Sequence, residues 1–93
     1  MRIAKVDANQ TEIVNALRKI GASVTSTAAQ HKGFPDLVVG YKGVNYLMEI
    51  KDSNKPPSQR KLTPDQIIFH KSWNGQIAVV TSVQDAFDVL GVK

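Results

Sequence analysis

Residues 37–39 read Leu-Val-Val and residues 46–48 read Tyr-Leu-Met, two apolar runs separated by Gly-Tyr-Lys-Gly-Val-Asn. The runs are rich in β-branched and aromatic residues and too short for helices, so they predict two strands, 37–41 and 44–50. Lys42-Gly43 between them leaves room only for a tight two-residue turn, although it is not the favoured Asn-Gly or Asp-Gly pair. A hairpin exposed to water on one side would alternate apolar with polar. Near-continuous apolar runs predict strands covered on both faces, which requires helices packed on a sheet. This feature commits the chain to an α/β architecture.

The flanking sequence supplies the helices. Residues 8–20 carry an apolar stripe of Ile13, Leu17 and Ile20, with Asp7 or Asn9 available as a cap and Gly21 as a stop. Residues 23–27 read as a short strand. A polar loop, 28–35, follows, and its Pro35 biases Phe34 towards an extended conformation. Thr63-Pro64-Asp65-Gln66 is a helix start, with threonine as cap, proline in the first turn and glutamine in the capping-box position. That helix runs to about Trp73 and ends at Asn74-Gly75. Residues 76–81 form another apolar strand, and Ser82 caps a last helix through Leu90. The expected order is α-β-β-β-α-β-α: an antiparallel meander, then a crossover helix leading to a fourth, parallel strand. At 93 residues, 1–93 is expected to be one domain with a small core.

Chemistry gathers at the open end of the hairpin. Asp36 precedes the first strand, and Glu49 and Lys51 end the second. Pairing the strands makes neighbours of residues that are far apart in sequence. Glu49 and Lys51 are two residues apart, so they share a face at about 7 Å. An acid inside Leu-Met-Glu-Ile is costly to bury unpaired. A cation would compensate it, and a salt bridge to Lys51 is the structural alternative. Two carboxylates and an ammonium on one patch can hold a divalent cation and a phosphate, the minimum equipment for metal-dependent phosphodiester hydrolysis.

Pro35-Asp36 followed by Glu49-Ile50-Lys51 across a hairpin resembles the PD-(D/E)XK nuclease superfamily. Gly33 before the Pro-Asp pair, Glu12 on the preceding helix and Gln66 on the following helix make the VRR-NUC domain, in its stand-alone phage and bacterial form, the nearest resemblance. It covers roughly residues 10–91. The resemblance implies a restriction-endonuclease-like core with a mixed sheet flanked by helices. It also implies a nuclease in which Asp36, Glu49, the Ile50 carbonyl and Glu12 hold Mg²⁺ or Mn²⁺. Asp36, Glu49, Lys51 and Gln66 would form the catalytic set. Glu12 in a first helical turn also suits the helix dipole, and Gln66 has its own task in the capping box. The two roles of Gln66 make competing claims on one side chain.

Charge and composition narrow the partners. Net charge is +4 with a pI near 9.6, consistent with a polyanion. Lys51, Lys55, Arg60 and Lys61 cluster in one segment stiffened by Pro56-Pro57, with only Asp52 opposing them. That segment is either a solvated loop or a phosphate-contacting loop beside the site, and its position favours the second. His31 and Lys32 lie in the loop leading to the site and are further candidates for DNA contact. His70 and Trp73 share a helical face with Gln66; a lone histidine there is more often a satisfied polar group than a general base. The absence of cysteine excludes disulfides and thiolate zinc sites. Residues 1–7 lack the apolar run of a signal peptide, and no stretch is long enough to cross a membrane, so a cytoplasmic protein is expected. No sequence-reading element is recognisable, and the resemblance implies branched DNA, four-way junctions included, cut by a homodimer. The competing reading is a weakly active or inert nucleic-acid-binding module within a larger repair or restriction complex.

Overall fold

A computed structural model describes residues 7–27 and 32–92. Four strands form one sheet in the order β1 (Ser23–Ser26), β2 (Leu37–Tyr41), β3 (Val44–Ile50), β4 (Ile77–Val80). β1 pairs antiparallel with β2, with Val24 opposite Val39. β2 pairs antiparallel with β3, with Leu37 opposite Met48 and Tyr41 opposite Val44. β3 pairs parallel with β4, with Glu49 opposite Val79. The helices are α1 (Gln10–Lys19), α2 (Pro57–Arg60), α3 (Pro64–Ser72) and α4 (Val83–Leu90). The expected mixed α/β order holds, with one short addition. The segment read as a loop after Lys51 contains the single turn α2, because Pro57 at its first position presets the helical φ and lacks an N–H that would go unpaired there.

The hairpin turn needs positive φ at both central residues, and the chain provides it with Lys42 at 49° and Gly43 at 82°. Lys42 accepts a disfavoured conformation, and its ammonium lies 5.4 Å from the Tyr41 ring centroid.

Side-chain alternation divides the sheet into two unlike faces. Val24, Leu37, Val39, Met48, Ile50 and Val80 point to one face and meet Ile13 and Leu17 of α1 and Ala86 and Leu90 of α4. α1 and α4 pack on each other and close this core. The opposite face carries Val38, Leu47, Glu49, Ile77 and Val79. Cover on this face is uneven: in the hairpin Leu47 and Glu49 are buried and Val38 half-buried, while at the β4 edge Ile77 is half-buried and Val79 is 41% exposed. The only long helix in the β3–β4 connection is α3, and none of its residues is fully buried, so it screens this face without sealing it.

Asn9 holds the N-cap position of α1, but its side chain does not cap the helix. Its Nδ2 instead donates to the Lys51 carbonyl at 3.1 Å and the Thr81 carbonyl at 3.0 Å. One amide thereby ties together the C-terminal ends of β3 and β4. The other capping assignments hold. Thr63 and Gln66 form the full capping box of α3, and the Ser82 hydroxyl accepts from Asp85 N in α4. Among the described residues no helix is long and apolar enough to cross a membrane.

Candidate active site

The open end of the hairpin brings Asp36, Glu49, Lys51 and Gln66 together. Gly33 sets the approach. Its φ is 79°, and a Cβ there would lie 2.5 Å from the Asp65 carbonyl oxygen, so only glycine lets this loop lie against the start of α3. Thr27 then fixes the following turn. Its N–H donates to the Asp36 carbonyl at 2.7 Å and its hydroxyl to the Pro35 carbonyl at 2.6 Å. The Asp36 carboxylate reaches across to β3 and accepts from Ile50 N at 2.8 Å.

Glu49 lies on the partly open face of the sheet, yet it is only 2% exposed. Burial pushes its pKa up to about 9, helped by the hydrogen bond and charge of Asp36 and by the charge of Asp7, while Lys51 opposes the shift. Two carboxyl groups side by side cannot both ionise cheaply, which favours the protonated form of Glu49. Its Oε2 accepts from Gln66 Nε2 at 3.1 Å, while Oε1 is buried with no donor.

Gln66 resolves the expected competition between capping and site. Its Oε1 accepts from Thr63 N at 2.9 Å and from Lys51 Nζ at 2.9 Å, while its Nε2 donates to Glu49. A carbonyl oxygen has two lone pairs, so both claims are met at once. The amide becomes a bridge between the ammonium and the carboxyl, and the helix cap fixes its position. Lys51 is 8% exposed and carries its charge into this pocket. His70, one turn along α3, feels that charge: burial and then Lys51 hold its pKa below the usual histidine range, and its Nε2 is buried without a partner.

The remaining candidates are spread around this centre. Glu12 is exposed in the first turn of α1. It lines a cavity of about 370 Å³ with Asn9, Asp52, Asn54, Thr81 and Ser82. Among the described residues no three His, Cys, Asp or Glu side chains gather as a metal-binding group, so the acids at the centre are the pair Asp36 and Glu49. Lys55 forms an ion pair with Asp7. Arg60 and Lys61 are exposed at the end of α2, and Lys32 is exposed on the loop that Gly33 brings to α3. His31 lies outside the described residues.

Sequence reasoning misses Asp7 and Asn9 as parts of the site. Asp7 reads in the sequence only as a helix cap, yet its charge acts on Glu49 while its side chain engages Lys55. Asn9 fixes the backbone at Lys51 from 42 residues away. The acid before α1 is a visible signal; the partner of Asn9 is not.

No family model matches the sequence, and no curated protein matches it. A solved structure described as a VRR_NUC domain superposes with a TM-score of 0.61 at 22% identity, covering 91% of this chain and 97% of that one. The chain therefore has the fold of a VRR_NUC domain, the fold that the sequence resemblance implied.

Proposed function

We propose that this chain is a divalent-metal-dependent DNA endonuclease of the VRR-NUC type, selective for branched DNA and acting as a homodimer. The observation that carries the reading is the buried Glu49 carboxyl, held against the half-buried Asp36 and beside the Lys51 ammonium. Two acids this close, one of them buried, are expensive to ionise together even with one ammonium nearby. A divalent cation would take the place of the proton that Glu49 holds against Asp36, so the residues present fit such an ion. Asp36 and Glu49 would hold Mg²⁺ or Mn²⁺, with the Ile50 carbonyl as a further oxygen ligand. When bound, the ion polarises a phosphoryl oxygen and lowers the pKa of a water.

The chain's own groups do the rest. Lys51 Nζ, steered by Gln66 Oε1, stabilises negative charge as it builds on the phosphoryl oxygens, or orients the attacking water. Gln66 keeps the Glu49 carboxyl and the ammonium at fixed separation, so the charge field is in place before substrate arrives. Ile50 N–H holds Asp36 in its rotamer from β3 itself. Arg60, Lys61, Lys32 and, once released from Asp7, Lys55 contact phosphates flanking the scissile bond without reading sequence. A domain this small has room for one such centre, so paired cuts across a junction call for two copies.

The test is a cleavage panel of duplex, flap and four-way junction DNA in Mg²⁺ and in EDTA, run with a solution mass measurement. Cutting of branched DNA by a dimer in Mg²⁺ alone is expected. Robust cutting in EDTA would overturn the metal-dependent reading.

A further inference from the structure

α3 places a row of three aromatic rings beside the centre. Phe34, one residue before Pro35-Asp36, meets Phe69 edge to face with centroids 5.2 Å apart. Phe69 in turn stacks on Trp73, 5.4 Å away and 14° from parallel. Trp73 is 44% exposed. The following turn passes close to its Nε1 edge, where a Cβ on Gly75 would lie 2.9 Å away. With one face resting on Phe69 and one edge against Gly75, the solvent-facing surface of the indole is its other face.

Helical spacing separates this row from the other apolar residues of α3. Gln66, Phe69, His70 and Trp73 lie three, four and seven residues apart and share the face turned to the site. Ile67 and Ile68, 40% and 66% exposed, share the opposite face with Lys71. Trp73 is therefore continuous with the catalytic side of the helix rather than with the aliphatic side.

We propose that Trp73 is a stacking platform for an unpaired nucleobase of the bound DNA. The row begins next to Asp36 and ends on an open indole. Along the α3 axis, Trp73 lies about 10 Å from Gln66, roughly three nucleotide steps at the rise of one strand. A base stacked there belongs to the same strand as the phosphate at the centre or to its near neighbour. Every base has a π face, so the platform is indifferent to sequence. It does distinguish an unpaired base from one already stacked in a duplex. One face of the indole already rests on Phe69 before any ligand arrives, which lowers the ordering cost of binding. Lys32, exposed two residues before Phe34, adds positive charge to the loop on which the row begins. The proposal gives the site a physical basis for preferring branched or gapped DNA, and it rests on the nucleic-acid reading above.

Trp73 is the only tryptophan in the chain, so its emission reports this position alone. The experiment titrates the whole protein in EDTA with single-stranded oligothymidylate, a gapped duplex and a fully paired duplex of equal length. Single-stranded and gapped DNA are expected to quench the emission by about half or more, and the paired duplex to leave it nearly unchanged. By anisotropy of labelled DNA, Trp73→Leu should weaken single-strand and gapped binding about tenfold and duplex binding less than about twofold. Trp73→Phe should retain most of the affinity, and melting curves report whether each variant folds. Equal binding by folded Trp73→Leu, or no quenching of wild type at saturation, would overturn the platform. So would an emission that changes with protein concentration in the absence of DNA, because self-association would then cover the indole. Cleavage in Mg²⁺ is read separately. Quenching without cleavage keeps the platform and removes the nuclease, and cleavage without quenching does the reverse.

Discussion

At its turn, the β2–β3 hairpin is exposed, polar and free of acids. Val44 and Asn45 face water, and the turn borders a cavity of about 330 Å³ with Gly21, Ser23, Gly40 and Tyr41. At its open end, about 17 Å away along the strands, the same hairpin buries the Glu49 carboxyl and the Lys51 ammonium, bridged by Gln66, beside the half-buried Asp36. β3 runs from exposed at Val44 to fully buried at its last four residues. The difference lies in the neighbours rather than in the strand. Only the open end is bordered by a parallel partner, by the start of α3 and by Asn9 of the α1 cap. Burial there makes charged groups costly and strongly interacting, the conditions for chemistry, while the turn end serves the fold.

The sharpest way to break the contrast is to remove charge from the open end and a polar side chain from the turn. Asp36→Ala, Glu49→Ala and Lys51→Ala are each expected to lower cleavage by about a hundredfold or more with the fold retained. Asn45→Ala at the turn end should leave the rate within about twofold. Comparable losses at both ends, measured under single-turnover conditions, would dissolve the distinction.

Proton release gives the next largest effect. Glu49 has a folded pKa of about 9 against an ordinary value of 4.5, so between those values the folded protein keeps a proton that the unfolded chain has lost. Its contribution to stability is full below about pH 4.5 and is lost as pH rises towards 9. A divalent ion must displace that proton, so its affinity should climb up to about tenfold per pH unit across the same window. Glu49→Gln should flatten the pH dependence of melting and leave the cation-free protein more stable near pH 9, where the wild-type carboxyl ionises. Titration calorimetry in buffers of different ionisation enthalpy would count the proton, and a count of zero would contradict the raised pKa.

Gln66→Ala separates the two tasks of that residue. Loss of its share of the capping box should cost on the order of 1 kcal/mol. Loss of the Lys51–Glu49 bridge should lower turnover of the folded protein by about tenfold. A stability loss with unchanged turnover would return Gln66 to a purely helical role.

Replacing Lys55, Arg60 and Lys61 with alanine should weaken binding evenly across sequences. It should also flatten the log–log salt slope by about 0.9 for each duplex phosphate left without its cation. Because Lys55 is engaged with Asp7, Asp7→Asn is the informative companion: freeing the lysine should steepen the slope. The smallest effect belongs to the turn. Lys42→Gly should relieve the positive φ and stabilise the protein by up to about 1 kcal/mol without altering activity.

Elements whose causes are local were legible in the sequence. The hairpin, the α3 capping box and the Ser82 cap follow from neighbouring residues, and all three are present. The Asp36–Glu49–Lys51 grouping was legible because a hairpin's register converts sequence spacing into adjacency. What escaped depended on contacts between distant segments. Asn9 looks like a helix cap because nothing near it announces acceptors 42 and 72 residues away. The two claims on Gln66 look exclusive because sequence does not reveal that one oxygen can face both Thr63 and Lys51. The half-open sheet face looks closed because an apolar strand does not say whether the helix beside it lies close enough to cover it.

The Asn9 clamp also bears on the order in which a growing chain acquires its parts. α1 precedes the whole sheet, but the acceptors for Asn9 arrive at residue 51 and then at residue 81, and Val80, whose carbonyl receives Lys51 N, arrives with the second. A product terminated before β4 lacks that anchor and the strand that flanks Glu49. Full assembly of the centre is thus deferred until β4 has been synthesised, and products that stop short of it lack the means to hold its charged groups in register.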